Sequence, residues 1–508
     1  MPIFRALAVT ILAAFVTQPA PWRPSFELVQ PDLFGAVGGQ ANAWADVDGD
    51  NDLDYFVAFR GRPNRLYRND KNTFRDVASE VGLAAPVSAL SVPSVPSVAL
   101  VDSIETRAAA WGDFDADGDP DLYIGFADPK IPAKVYRNDA KGTKFVDVAK
   151  DIGVNLTGVA RQPAWIDYDG DGDLDLFAAF RDVPNRLLRN DRGKFVDVTA
   201  ASGTGDPRKT VSAVWWDFDR DGDLDLFTAN QEGEANGLYR QDQGRFEDVA
   251  AALGVSGMPR PPADGGVGAS VADFDRDGDF DLFVANYGHS ELYRNDGGLK
   301  FTEVSRARGI DLNGHGVTSG WGDLDNDGLP DLYVANFIAG QPLYRDALFV
   351  NGVTAFVESL PDVILKHDAT HGAQFVDFDQ DGRLDLALTN NDPGGGGHPL
   401  LRNTSTMRGR SIAVEVTDPN ARRSRAGSEV RAYRAGTRQM VSSAIVDSGS
   451  GYCSQSDMPV HLGIANDWRG RVDIEVITIA GGTRHASLVR DVNPDDYRGR
   501  SLRIITTR

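Results

Sequence analysis

Seven stretches of this chain repeat one acidic pattern, Asp-x-Asp-x-Asp-Gly-x-x-Asp, beginning at Asp46, Asp113, Asp167, Asp217, Asp273, Asp323 and Asp377. The fullest copies read Asp167-Tyr-Asp169-Gly-Asp171-Gly172-Asp173-Leu-Asp175 and Asp217-Phe-Asp219-Arg-Asp221-Gly222-Asp223-Leu-Asp225. Carboxylates crowded in this way repel. At about 5 Å and an effective dielectric near 20, each like-charged pair costs about 3 kcal/mol. A hard divalent cation removes that repulsion. Calcium, with its many oxygen ligands and flexible geometry, suits the donor set.

The expected ligands are the carboxylates at four positions of each copy. Position 1 is Asp46, Asp113, Asp167, Asp217, Asp273, Asp323 and Asp377; position 3 is Asp48, Asp115, Asp169, Asp219, Asp275, Asp325 and Asp379. Position 5 is Asp50, Asp117, Asp171, Asp221, Asp277, Asp327 and Asp381; position 9 is Asp54, Asp121, Asp175, Asp225, Asp281, Asp331 and Asp385. Position 7 would add a backbone carbonyl, so Leu329 and Arg383 there are harmless. The glycine at position 6 permits the turn around the ion. Copy one has Asn51 in that place and is the expected vacancy among up to seven ions.

An EF-hand would need Glu at position 12. Here that position is Val57, Ile124, Ala178, Thr228, Val284, Val334 and Leu388, so that reading fails in every copy. Each loop is followed by a short apolar, aromatic-rich run, such as Leu224-Asp-Leu-Phe-Thr-Ala, which reads as a strand. A second pattern travels with the first: Leu66-Tyr-Arg-Asn-Asp, Val135-Tyr-Arg-Asn-Asp, Leu187-Leu-Arg-Asn-Asp, Leu238-Tyr-Arg-Gln-Asp and Leu292-Tyr-Arg-Asn-Asp. Phe74-Arg-Asp-Val, Phe145-Val-Asp-Val, Phe195-Val-Asp-Val, Phe246-Glu-Asp-Val and Phe301-Thr-Glu-Val follow it. The Asn-Asp pairs between these halves read as hairpin turns.

Four short strands in a unit of about 50 residues predict propeller blades. Seven units predict a seven-bladed ring over 26–403. Phe26-Glu-Leu-Val at one end and Leu400-Leu-Arg-Asn at the other supply its closing strands. Residues 84–104, rich in Pro, Ser and Val, form an insertion, and Pro393 to Pro399 form a glycine-rich loop.

With these motifs the chain resembles the FG-GAP/VCBS repeat family, known for the calcium-bearing propellers of integrin α subunits. The acidic repeat stops after Asn403. Residues 408–508 alternate apolar and polar residues, as in Ile412-Ala-Val-Glu-Val and Val472-Asp-Ile-Glu-Val, and read as a small β-sandwich-like domain. Ser448-Gly-Ser-Gly-Tyr452-Cys453-Ser454-Gln455-Ser456-Asp457 resembles the ASPIC/UnbV domain of secreted proteins of the cartilage-acidic-protein type. Thr478-Ile-Ala-Gly-Gly stands where that family carries a Trp-Pro-Ser-Gly turn. The Ser448–Asp457 stretch reads as a structural loop with internal hydrogen bonds. The short polar Thr404 to Met407 reads as a linker, so the last domain is expected to be dispensable for calcium loading.

Residues 1–20, with Arg5 and an apolar run from Ala6 to Val16, have the form of a signal peptide. No other run is long and apolar enough for a transmembrane helix, so the mature chain is expected to be soluble. The net charge is −22, most of it in the acidic loops, and no basic face is visible for nucleic acid. The single cysteine, Cys453, excludes an intrachain disulfide. His315-Gly and His371-Gly precede corresponding loops and read as structural. No nucleophile or metalloprotease motif is present. The whole predicts an all-β, seven-bladed, calcium-binding propeller followed by a small β domain. It is expected to be a secreted, periplasmic or cell-surface monomer that binds an extracellular protein or glycan. The alternative is an extracellular or periplasmic enzyme acting on carbohydrate at the ring face. Clustered His, Glu, Arg and aromatic residues over the central channel would favour the latter.

Overall fold

The computed structural model describes residues 22–84, 104–338, 345–365, 369–391, 396–419 and 425–506. The expected signal peptide, residues 85–103 of the insertion, His367 and residues 393–395 of the glycine-rich loop lie outside the described residues.

The chain is a β-propeller with two further sheets after it. Each acidic repeat folds as antiparallel strands hydrogen-bonded in chain order. In the third repeat these are Ala160–Ile166, Asp175–Phe180, Arg186–Asn190 and Phe195–Asp197. The acidic loop joins the first strand to the second, and the Arg-Asn pattern forms the third. The first two strands are buried along their whole length, whereas the outer two alternate. That gradient is why the runs beside each loop are continuously apolar.

The last repeat takes its fourth strand from the start of the chain. Phe26–Val29 pairs antiparallel with Leu400–Asn403, with Phe26 opposite Asn403. The first strands of successive repeats pack side by side, and Thr370–Val376 returns against Gly39–Ala45. The sheet series therefore closes on itself, which removes the exposed edges an open array would have.

Every one of these first strands has a register shift near its start. Such a bulge lets one residue leave the ladder and re-aims its side chain. Arg107, Val211, Val267, Val317 and His371 are the unpaired residues, and Gln40 and Arg161 stand in the corresponding place.

Among the described residues, one-turn helices, absent from the sequence reading, follow four of the outer strands: Ala78–Val81, Ala149–Ile152, Thr199–Ser202 and Ala250–Leu253. Each ends on a left-handed glycine: Gly82, Gly153, Gly203 or Gly254.

Beyond the ring, Val460–Ala465, Gly409–Thr417 and Leu502–Ile505 form one sheet. Met440–Ile445, Glu429–Arg434, Val472–Ala480 and Thr483–Val492 form the other. Ile412, Val414, Val430, Leu462, Ile474 and Val476 are buried in a core common to both sheets.

Candidate metal centres on the acidic loops

The seven loops share one hydrogen-bonding scheme. The N–H at position 7 donates to the position 5 carboxylate in every loop, from Asp52 onto Asp50 through to Arg383 onto Asp381. The N–H at position 6 donates to position 1 in six of them, at 2.7–3.2 Å. Two residues per loop are left-handed. Position 6 is one of them, and Asn51 adopts the glycine turn at φ 73°. Position 4 is the other, filled by Ala116, Arg220, Arg276, Asn326 and Gln380 as well as by Gly49 and Gly170. Non-glycine residues there mark a strained, over-determined turn.

In loops two to five, positions 1, 3 and 9 converge, as in Asp113, Asp115 and Asp121, with ligand atoms within 4.8 Å of one another. In loop one Asp46, Asp48 and Asp50 converge instead. Position 5 is exposed in six loops and half-buried at Asp327, so it forms the solvent side of each cluster. Asp48, Asp115, Asp167, Asp217, Asp273 and Asp377 each keep a buried Oδ1 to which no described group donates. Burial, with the adjoining carboxylates adding, pushes Asp113, Asp273 and Asp377 up to about 7. Undonated, desolvated oxygens on crowded carboxylates are the donor set of a hard divalent cation. The residues present fit such an ion. The side chains at positions 1, 3 and 9 would hold it, and it would supply charge compensation and cross-linking of the loop.

Position 9 has a second role that the motif alone does not reveal. These aspartates are essentially unexposed. In six of the seven, one oxygen accepts the N–H at position 2, from Val47 onto Asp54 through to Leu324 onto Asp331. The other accepts the backbone N–H of the Asn or Gln in the Arg-Asn strand, at 2.7–2.8 Å in all seven repeats. That same residue then reaches the preceding repeat with its side chain. Asn138 donates to the Val47 carbonyl, Asn190 to Phe114, Gln241 to Tyr168 and Asn295 to Phe218. Asn351 donates to Phe274, Asn403 to Leu324 and, across the closure, Asn69 to Phe378.

The Asn-Asp pairs are thus more than turn residues. Their asparagine is a buried staple from each strand to the loop before it. Asn190→Ala would strip donors from two buried carbonyls, Phe114 at 2.8 Å and Leu174 at 2.9 Å, and an acceptor from Gly193. It should cost about 3 kcal/mol in urea unfolding. An unchanged midpoint would show that the bond holds nothing.

The C-terminal sheets sit on the acidic face. Arg484 pairs with Asp217 in loop four, the loop where no Gly222 bond to Asp217 is found among the described residues. Arg425 lies 3.6 Å from Asp167, Ser443 donates to Asp273 at 2.7 Å, and Arg408 lies 3.1 Å from Asp325. A cavity of about 990 Å³ lies between the loops and these sheets, with Asp46, Asp323, Asp377, Ser443 and His461 in its wall.

The Ser448–Asp457 segment makes a tight turn, in which Ser450 N donates to Ser454 O and Ser454 Oγ donates to the Ser450 and Gly451 carbonyls. It enters the centre of the ring and bonds to first strands of six repeats. Ser456 accepts from Trp44 N, the Cys453 carbonyl from Ala109 N, and Gln455 Oε1 from Trp165 N at 2.7 Å. Ser448 accepts from Trp215 N, Tyr452 N donates to Thr318, and Gln374 donates to Ser450 and Ser456. The internal hydrogen bonds expected of this loop are present, and the structure adds a larger set of partners from the ring.

A model of the FG-GAP-like repeat matches residues 46–124, 113–178, 167–228, 217–284 and 273–334, more than half of the chain. Cartilage acidic protein 1 of Mus musculus is 25% identical over 257 residues, 48% of this chain and 38% of that protein. The Homo sapiens protein of the same name is 25% identical over 257 residues, 48% of this chain and 37% of its own length. The match therefore spans well under half the length of these curated relatives. Among solved structures, BBS1N in complex with ARL6DN is 10% identical, with 75% of this chain and 98% of that chain covered and a TM-score of 0.45.

Proposed function

Because this chain belongs to the FG-GAP-like repeat family, we propose that it is a calcium-loaded extracellular binding module. Its ring would have seven blades over 26–403, and its second domain would cover 408–508. Among the described residues no helix is long and apolar enough to cross a membrane. The observation that carries the reading is an acidic loop repeated seven times, in four copies of which the carboxylates at positions 1, 3 and 9 converge, with buried carboxylate oxygens that lack donors. Outside the cell calcium is abundant enough to fill even weak loops of this kind. The ligand would be a protein or a glycan met at or beyond the cell surface.

The alternative, an enzyme acting on carbohydrate, draws support from the Arg and His residues at the end of the channel away from the loops. Glu105, the carboxylate among them, is engaged by Arg107 and lies 3.7 Å from Arg60. A carboxylate held between two guanidiniums is a poor general acid or base, so binding is the reading adopted.

Elemental analysis of protein purified in calcium should find several calcium ions per chain, up to seven. Loop one is included in that number, since Asn51 reaches the glycine conformation. The double substitution Asp169→Asn and Asp171→Asn should lower the content by one ion. Zinc or iron in place of calcium, or at most one calcium per chain, would sink the assignment.

A further inference from the structure

The bulge that opens each first strand places one residue at the end of the channel opposite the acidic loops. In three consecutive repeats that residue is valine: Val211, Val267 and Val317, all buried and packed with Tyr452 and Cys453. That is what a closed channel needs. In the other repeats the same place holds Gln40, Arg107, Arg161 and His371. Half of the mouth is therefore polar where the fold asks only for an apolar side chain.

These polar groups are buried without being satisfied. Arg161 is 3% exposed, its Nε lacks a hydrogen-bond partner, and its Nη1 donates to its own neighbour's carbonyl, Ala160. No carboxylate pairs with it among the described residues. His371 is 4% exposed with Nδ1 unpartnered, and both amide atoms of Gln40 are buried without a partner. Arg107 Nε is likewise unpartnered, while its side chain keeps 17% exposure and so reaches solvent. Among the described residues Glu105 is the one anion paired with this group, and it reaches the guanidiniums of Arg60 and Arg107 but makes no ion pair with Arg161. An unpaired buried guanidinium costs several kcal/mol unless something compensates it.

The floor comes from the other domain. Tyr452, at the tip of the segment that threads the ring, lies with its hydroxyl 3.5 Å from Arg107 Nη1. His371 is stacked between Tyr452 and Phe337, with ring centroids 5.0 and 4.4 Å away. Tyr452 and Cys453 hold left-handed backbone at φ 44° and 53°, strain that clusters where a side chain must be presented. Burial, with the nearby guanidinium charges adding, keeps the His371 imidazole neutral. A neutral imidazole, a phenol and two guanidiniums form a donor-rich cradle, and the planar fork of arginine matches oxyanion geometry.

We propose that this mouth binds an oxyanion, the carboxylate or sulfate of an acidic ligand, between Arg107 and Arg161 and above Tyr452. The site lies at the opposite end of the channel from the acidic loops and is independent of their ions. Calorimetric titration of the full, calcium-loaded chain tests it, with sodium sulfate and sodium glucuronate as probes at ionic strength fixed by chloride. At least one should bind saturably, one per chain, and which one does so tells the two sources apart. Arg161→Met should weaken that binding at least tenfold without lowering the melting temperature, since it removes an unpaired charge. Tyr452→Phe deletes only the hydroxyl and should weaken it severalfold, which keeps the test decisive if Arg161→Met misfolds. Calcium content should be the same in both variants, so a failure here is distinguishable from a failure of the metal reading. Absence of saturable binding by both anions, or binding in Arg161→Met equal to the parent, would overturn the proposal.

Discussion

Treatment with excess EDTA should lower the melting temperature by tens of degrees, and more at pH 8.5 than at pH 5.5. A ligand that binds only the folded state stabilises it by about 2.7 kcal/mol per site at a hundredfold excess over Kd. Three such sites approach the whole net stability of an ordinary domain, about 5–15 kcal/mol, and no disulfide is available to replace them. The pH dependence follows from the carboxylates left behind. Without metal, burial holds Asp54 at about 8 and Asp175 at about 9, against 3.8 for an unperturbed aspartate. Asp113, Asp273 and Asp377 lie at about 7. These folded-state values are raised, so the metal-free fold takes up protons. Its stability from these groups is complete below about pH 4 and is lost as pH rises through 7 to 9. With calcium bound, the cation holds the carboxylates ionised and the dependence flattens. A melting curve unmoved by EDTA, on protein shown by elemental analysis to have lost its ions, would mean that the loops stand without metal.

The loops, the strand runs and the closing strand at Phe26 were legible because local chemistry repeats in them: carboxylate spacing, a turn glycine and an apolar run of fixed length. The asparagine staple was not. Asn190 beside Asp191 has the local signature of a hairpin turn, and its partner Phe114 lies 76 residues away. The position 9 aspartates were read as ligands alone for the same reason, since one of the N–H groups they accept comes from a different strand, as Asn190 N does for Asp175. The one-turn helices had a faint signal in the recurrent glycine, as from Val148 to Gly153, but a four-residue helix has no period to detect. Bulges leave no trace in composition. Only alignment on the strand ladder shows that Arg107, Arg161 and His371 occupy the place of three valines.

A chain ended at Arg408 should melt at least ten degrees lower than the full protein or fail to unfold cooperatively, even though residues 408–508 are expected to be dispensable for calcium loading. The reason lies in where the Ser448–Asp457 segment goes. Its side-chain bonds to the ring span 76 to 412 residues of sequence, and they reach backbone groups of Trp44, Trp165 and Trp215 at the centre of the ring. Removing the segment leaves these groups and the apolar faces of Val211, Val267 and Val317 around an empty channel, with Tyr452 and Cys453 gone from their core. Water can refill such a channel but cannot replace the apolar contacts. A point substitution separates this effect from loss of the whole domain. Gln455 accepts from Trp165 N at 2.7 Å and donates to Trp165 O at 2.9 Å and Asp447 O at 3.2 Å, all within the buried centre. Gln455→Ala leaves a buried N–H and two carbonyls without partners and should cost about 3 kcal/mol. Calcium bound per folded chain should not change, because Gln455 touches no acidic loop. If the truncated chain and Gln455→Ala both unfold at the parent temperature, the segment merely occupies the ring, and the propeller is self-sufficient after all.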